Sequence, residues 1–180
     1  RVVAMIRLQT KPAPQKKIAI VYYDLSMGKS ELMRGTASGM FLNAPRSLLR
    51  VLKRLGAEGY SLSRPPETED DLIGRMKDHG RQIGIWAPDV LAQLAASGKA
   101  VLIPAETYRQ WFESKVPEIQ RQQVVRQWGP PPGKFLVWER DGKAFIVVPR
   151  VDIGNVILLP QPLRGEAQVV SALDVQTHDR

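Results

Sequence analysis

The sequence predicts an α/β fold, a mostly parallel sheet with flanking helices plus a C-terminal β-hairpin-like segment. Three observations carry this. Lys17 to Tyr23 is an unbroken β-branched and aromatic run, the pattern of a strand covered on both faces. Capped helical patterns come after it. Beyond Gly129-Pro130-Pro131-Pro132-Gly133, which fits neither helix nor sheet interior, the chain changes to short strands.

In order, Val2 to Leu8 has apolar residues at 2, 3, 5, 6 and 8, and Pro12 and Pro14 keep the helix from continuing. Residues 1–16 are therefore the end of a preceding helix and a linker. Residues 17–180 are expected to form a single α/β domain, read as a fragment of something longer. Lys17 to Tyr23 is expected in the sheet interior, followed by a long loop holding Gly28, Gly35 and Gly39. Asn43 caps a helix whose first turn accepts Pro45, with Leu48, Leu52 and Leu55 on one face and Arg46, Arg50, Lys53 and Arg54 on another. A short strand over Tyr60 to Ser63 would complete a crossover unit. Thr68 caps a second helix that Gly80 ends, its first turn carrying Glu69, Asp70 and Asp71 in agreement with the helix dipole. Asp89 to Ala96, Glu106 to Lys115 and Pro117 to Trp128 read as helices, with Val101 to Ile103 as a strand. Phe135 to Trp138 and Ala144 to Val148 read as a hairpin around Asp141-Gly142, with a turn slightly longer than the tightest. Asn155 to Leu159 is a buried strand.

Composition narrows the function classes. Of 180 residues, 43% are hydrophobic and 24% charged, close to the soluble average, which excludes disordered and fibrous classes. No apolar run approaches the ~20 residues of a membrane helix. With no cysteine there is no disulfide, thiolate metal site or cysteine nucleophile, in keeping with a cytoplasmic location. A net charge of +8 favours polyanionic partners.

Gly28-Lys29-Ser30 after a strand looks like the end of a phosphate loop, but Tyr23 stands where that loop needs its first glycine. Nucleotide binding is not expected. His79 and His178 are the two histidines and lack partners at metal-ligand spacing. Trp86, Trp111, Trp128 and Trp138, with Tyr108 and Phe112, are expected in the core. The least ordinary stretch is Gly154 to Gly165. There a buried strand runs into Pro160-Gln161-Pro162, which ends ladder pairing on both sides of Gln161, and Arg164-Gly165 lies just beyond. At the carboxyl edge of a sheet such geometry builds ligand crevices. A stiff turn is the alternative.

These landmarks together resemble the large subunit of the ATP-dependent tetrapyrrole metal chelatases, the family of the cobaltochelatase large subunit and its magnesium chelatase counterpart. The likeness rests on Lys11-Pro12 leading into Lys17 to Tyr23, on Gly28-Lys29 and on Asn43-Ala44-Pro45-Arg46-Ser47-Leu48. It continues through Ile103 to Tyr108 with Trp111-Phe112, Trp128-Gly129 with Pro132-Gly133, and Gly154-Asn155 through Pro160-Gln161-Pro162-Leu163-Arg164-Gly165. Two departures stand out. Ser26-Met27-Gly28 replaces the family's Pro-Pro-Gly, and the family's later His-Gly-Thr-His-Gly and Glu-Trp-Leu-Pro-Gly-Lys signatures are absent.

The resemblance implies a domain of the tetrapyrrole-binding subunit of an ATP-dependent ligase, inserting cobalt into a corrinoid during cobalamin biosynthesis. Insertion of magnesium into protoporphyrin is the alternative branch. The substrate-binding candidates are Gln161, held extended by its flanking prolines, and Arg164, suited to a bidentate grip on a carboxylate, with Asn155 and His178; no catalytic residue or resident metal is assigned within the chain. ATP and Mg are expected on partner ATPase subunits, with cobalt as the substrate metal, and the isolated chain is expected to be inactive. A non-catalytic α/β scaffold or binding module is the reading from a different class, and nucleic-acid binding has no recognised motif behind its charge.

Overall fold

The computed structural model describes residues 2–22, 43–84 and 87–161. By compactness the chain divides into two units, Arg1–Gln82 with Arg150–Leu163, and one built on Ile83–Pro149. One domain is expected from the sequence over residues 17–180; in the structure each unit has a hydrophobic cluster of its own.

In the first unit, helix α1 (Val2–Thr10) leads through a 3-10 turn at Ala13–Gln15 to strand β1 (Ile18–Tyr22). Helices α2 (Ala44–Ala57) and α3 (Glu69–His79) come next, and strands β5 (Val151–Ile153) and β6 (Val156–Pro160) complete the unit. The caps are those the sequence indicates. Asn43 Oδ1 accepts from Arg46 N at 2.9 Å, and Thr68 Oγ1 accepts from Asp71 N at 3.1 Å. The Asn43 amide also donates to Glu69 Oε1 at 2.8 Å, joining the starts of the two helices.

The sheet order is β1-β6-β5, with β1 parallel to β6 from Ile18 opposite Val156 to Tyr22 opposite Pro160, and β5 antiparallel to β6. The fold is α/β as expected, but its sheets are mostly antiparallel: among the described strands, β1 with β6 is the parallel pair. Three-residue β5, hemmed in by Pro149 and Gly154, is a strand that the sequence pattern does not mark. β6 also takes the central place expected of β1, which borders one described strand. The reason lies in the outward residues of β1. Ala19 and Val21 are exposed, Val21 at 59%, yet apolar, so composition hides the alternation. The expected strand at Tyr60 to Ser63 reduces to one bridge between Leu62 and Gly154. Gly154 has φ +77, and a Cβ there would lie 2.8 Å from Ser63 N, so only glycine fits the β5–β6 turn. Around β6 pack Tyr22, Leu49, Leu52, Leu72, Met76, Val151 and Ile153.

The second unit holds α4 (Pro88–Ala96), β2 (Val101–Pro104), α5 (Ala105–Lys115), α6 (Glu118–Trp128), β3 (Val137–Arg140) and β4 (Lys143–Val148). Its sheet, β2-β4-β3, is antiparallel throughout. The hairpin turn is tighter than expected. Arg140 pairs with Lys143 across Asp141 (φ 50) and Gly142 (φ 71), the two left-handed residues that match the twist of the flanking strands. Ile83, Leu91, Leu94, Ala95, Ala100 and Val147 form the core, with Trp138 against it. Phe112 is buried, but Trp111 and Trp128 are 49% and 46% exposed, against the core placement expected of them. α6 buries no residue, so its face offers Trp128 nothing to pack on. Trp86 lies outside the described residues. Among the described residues no helix is long and apolar enough to cross a membrane.

Candidate functional site

β1 and β6 run side by side, so both deliver their last residues to one carboxyl edge of the sheet, the place where parallel strands open crevices. Gln161 is the residue that leaves this edge. Its N–H donates to the Tyr22 carbonyl at 2.7 Å, extending the ladder by one step past Pro160. In a parallel ladder a carbonyl accepts from the residue after its register partner, so Pro160, whose nitrogen faces away from β1, costs this ladder no bond.

A residue that sequence reasoning missed fixes the exit. Gln82, 6% exposed, donates its amide nitrogen to the Pro160 carbonyl at 3.2 Å and to the Gln161 carbonyl at 3.0 Å. A buried carbonyl left unpaired is costly, and one side-chain amide serves two of them. Gln82 reaches the edge because α3 stops at Gly80. A Cβ on Gly80 would lie 2.5 Å from Tyr22 Oη and 2.8 Å from Val151 Cγ2, so the chain passes close under β1 and β5 only as glycine. No periodicity marks Gln82. The signal available was a lone amide among Gly80, Ile83 and Gly84, which is weak.

Asn155 stands at the other end of β6, roughly 20 Å away at ~3.3 Å per residue. Its amide donates to the Pro14 carbonyl at 2.7 Å, its N–H to the Ser61 carbonyl at 3.0 Å, and its own carbonyl accepts from Ile18 N at 2.8 Å. Asn155 thus secures the start of the strand, and it does not share an edge with Gln161. Arg164 and His178 lie outside the described residues, as do Tyr23 and Gly28-Lys29-Ser30.

The remaining motifs resolve locally. Asp71 accepts from Arg75 Nε and Nη2, both at 2.8 Å, and from Glu67 N at 3.4 Å. The Arg75 hydrogen bond holds its carboxyl below the usual range, against a partial desolvation that acts the other way. This acid cluster is a helix start tied to its own arginine. On α2, Arg46, Arg50, Lys53 and Arg54 are exposed, and Arg54 pairs with Glu58 at 2.5 Å. Among the described residues no three histidine or acidic side chains gather as a metal site. At the described edge the amides of Gln82 and Gln161 and the carbonyls of Tyr22, Pro160 and Gln161 are bonded to one another, which fixes the backbone there.

The model of the family described as CobN/Magnesium Chelatase matches residues 1–178. The chain belongs to the CobN/magnesium chelatase family. It is similar to the H-type magnesium-chelatase subunit of Rhodobacter capsulatus, 28% identical over 170 residues, covering 92% of this chain and 12% of that protein. The aerobic cobaltochelatase subunit CobN of Pseudomonas aeruginosa is 26% identical over 158 residues, covering 88% and 11%. Among solved structures, the catalytic subunit of cobaltochelatase from Mycobacterium tuberculosis superposes with a TM-score of 0.67 at 26% identity, covering 88% of this chain and 12% of that one. The chain thus spans about an eighth of the length of these members of the CobN/magnesium chelatase family.

Proposed function

We propose that this chain is a domain of the large, tetrapyrrole-binding subunit of an ATP-dependent cobaltochelatase, and that its carboxyl edge at Tyr22, Gln82 and Gln161 faces the corrinoid. The observation that carries the reading is the fixed exit of β6. Gln82 and Tyr22 hold Pro160 and Gln161 at the edge where a parallel pair opens, and the family's most specific run continues from there. Arg164, three residues on, supplies a group suited to bidentate grip of a substrate carboxylate, and the +8 charge attracts a polycarboxylate. Asn155 supports this edge indirectly, by anchoring the start of the same strand. His178 joins the substrate-binding candidates without a structural argument of its own.

In this reading ATP and its magnesium sit on separate ATPase subunits, cobalt is substrate, and the chain alone is inactive. A cysteine-free chain suits a cytoplasmic enzyme. Magnesium insertion into protoporphyrin is the second reading, favoured by the 28% identity to the magnesium-chelatase protein.

The test uses the full large subunit with its ATPase partners, ATP and either metal. Cobalt insertion into a metal-free corrinoid is expected; magnesium insertion into protoporphyrin alone would move the protein to the other branch. Arg164→Ala in that subunit should weaken tetrapyrrole affinity roughly 10- to 150-fold, the range for losing one charge-assisted hydrogen bond. Unchanged affinity and unchanged insertion would remove this edge from the substrate site.

A further inference from the structure

A pocket of about 810 Å³ lies in the first unit between the C-terminal half of α2, the Leu62 to Thr68 segment and the first turns of α3. That volume is in the range of small-molecule sites. It is separate from the edge described above, since Leu62 bridges Gly154 at the opposite end of β6 from Gln161.

Its floor is apolar, with Leu52 and Pro66 buried and Leu62 and Pro65 beside them. Its mouth is charged. Lys53 and Arg64 are exposed, and among the described residues neither side chain has an acidic partner. The other lining cation, Arg75, is already committed. It forms its two bonds with Asp71, and its Nη1 donates to the Arg64 carbonyl at 2.6 Å. That last bond has a consequence for Arg64, whose φ of 48 is in the left-handed region that non-glycine residues avoid. The Arg75 bond holds the Arg64 carbonyl against the extended backbone that Pro65 favours in its predecessor, so the segment presenting Arg64 is set before any ligand arrives. Glu67 also lines the pocket, and Glu69 and Asp70 follow in the first turn of α3. This negative charge near the pocket disfavours a multiply charged anion relative to a singly charged one. Arg46 and Arg50, exposed on the same helix as Lys53, add positive potential outside the mouth.

We propose that this pocket binds a small monocarboxylate carried on an apolar body, the body against Leu52, Leu62, Pro65 and Pro66 and the carboxylate between Lys53 and Arg64. The site is independent of the chelatase reading and stands or falls apart from it.

The probe is 2-naphthoate, titrated into the chain while backbone amide shifts are followed by NMR, with neutral 2-naphthamide as the matched control. Saturable binding is expected with a Kd on the order of 1 mM, as the ligand efficiency of so small a molecule allows. The shifts should centre on Lys53, Leu62 and Arg64. The double variant Lys53→Met/Arg64→Met should bind roughly tenfold more weakly, since exposed cations contribute modestly one at a time. Both residues are exposed, so the variant's spectrum should otherwise match the parent's. Equal affinity for naphthoate and naphthamide, shifts centred elsewhere, or undiminished binding by a folded double variant would each overturn the proposal. The amide comparison needs no variant and decides the matter even where the substitutions unfold the chain.

Discussion

The two sheets have three strands each, yet they bury their central strands differently. In β6 every second residue is buried, and Val156 and Leu158 reach 0% exposure along with Leu52, Leu72 and Ile153 from the elements around them. In β4, the centre of the other sheet, only Val147 is buried and its neighbours from Ala144 to Val148 are half-covered. Beyond β4, α6 buries nothing and Trp111 and Trp128 stand half in solvent. The first unit's core has five side chains at 0% exposure, and the second unit's core, though buried, has one, Val147.

Truncation at the most covered position gives the largest effect and can break that contrast. Leu158→Ala should lose about 2–5 kcal/mol in urea denaturation, and Leu94→Ala in the second unit should fall at or below the low end of that range. Equal losses would erase the distinction. Next come two glycines around one helix. Gly80→Ala drives a methyl into Tyr22 Oη and Val151 and should cost about 1–3 kcal/mol, while Gly74→Ala, inside α3 with nothing within 4 Å of its Cβ, should gain about 0.5–1 kcal/mol. A gain at Gly80 would show that β1 and β5 give way easily.

Gln82→Ala strips the two carbonyls of Pro160 and Gln161 of their shared donor and should cost about 1–3 kcal/mol. Its more telling readout is hydrogen exchange, where the Gln161 amide should lose protection while the amides of β3 and β4 keep theirs. Trp111→Ala and Trp128→Ala sharpen the comparison from the other side, each expected to change stability by less than about 1 kcal/mol.

The smallest effect is a pH dependence. Asp71 has its pKa below the ordinary 3.8 because Arg75 favours the charged form. Its contribution is therefore complete above that ordinary value and is lost as pH falls through the lowered one. Arg75→Met should remove that contribution near neutrality and flatten the acid limb, so that the two forms converge in stability at low pH, as acid titration of both would show.

Much of this was legible in the sequence where local chemistry decides structure. Asn43 and Thr68 cap the expected helices because a side-chain oxygen satisfies the free N–H groups wherever the helix starts. Asp141-Gly142 turns the hairpin because both residues tolerate positive φ. What was hidden depends on partners far along the chain. β1 looked interior since Ala19 and Val21 are apolar on the side no described strand or core residue covers. β5 needed β6 beside it to exist as a strand, and three residues carry no pattern alone. For the candidate site, the Pro160-Gln161-Pro162 run pointed to the carboxyl edge, but nothing near Gln82 in sequence announced the amide that holds it. Asn155 was noticed for its place in a motif; its three hydrogen bonds show it anchoring the opposite end of the strand.

The first unit is discontinuous, and this has a consequence during synthesis. β1, α2 and α3 leave the ribosome before β5 and β6, with all of Ile83–Pro149 translated in between. At about 5–20 residues per second, that interval lasts on the order of several seconds. Throughout it, Leu52, Leu72 and Met76 have no β6 to cover them, and the β6-facing edge of β1 has no strand to pair with. The nascent chain must therefore carry an exposed apolar surface for far longer than a helix or hairpin takes to form, the condition under which chaperones engage.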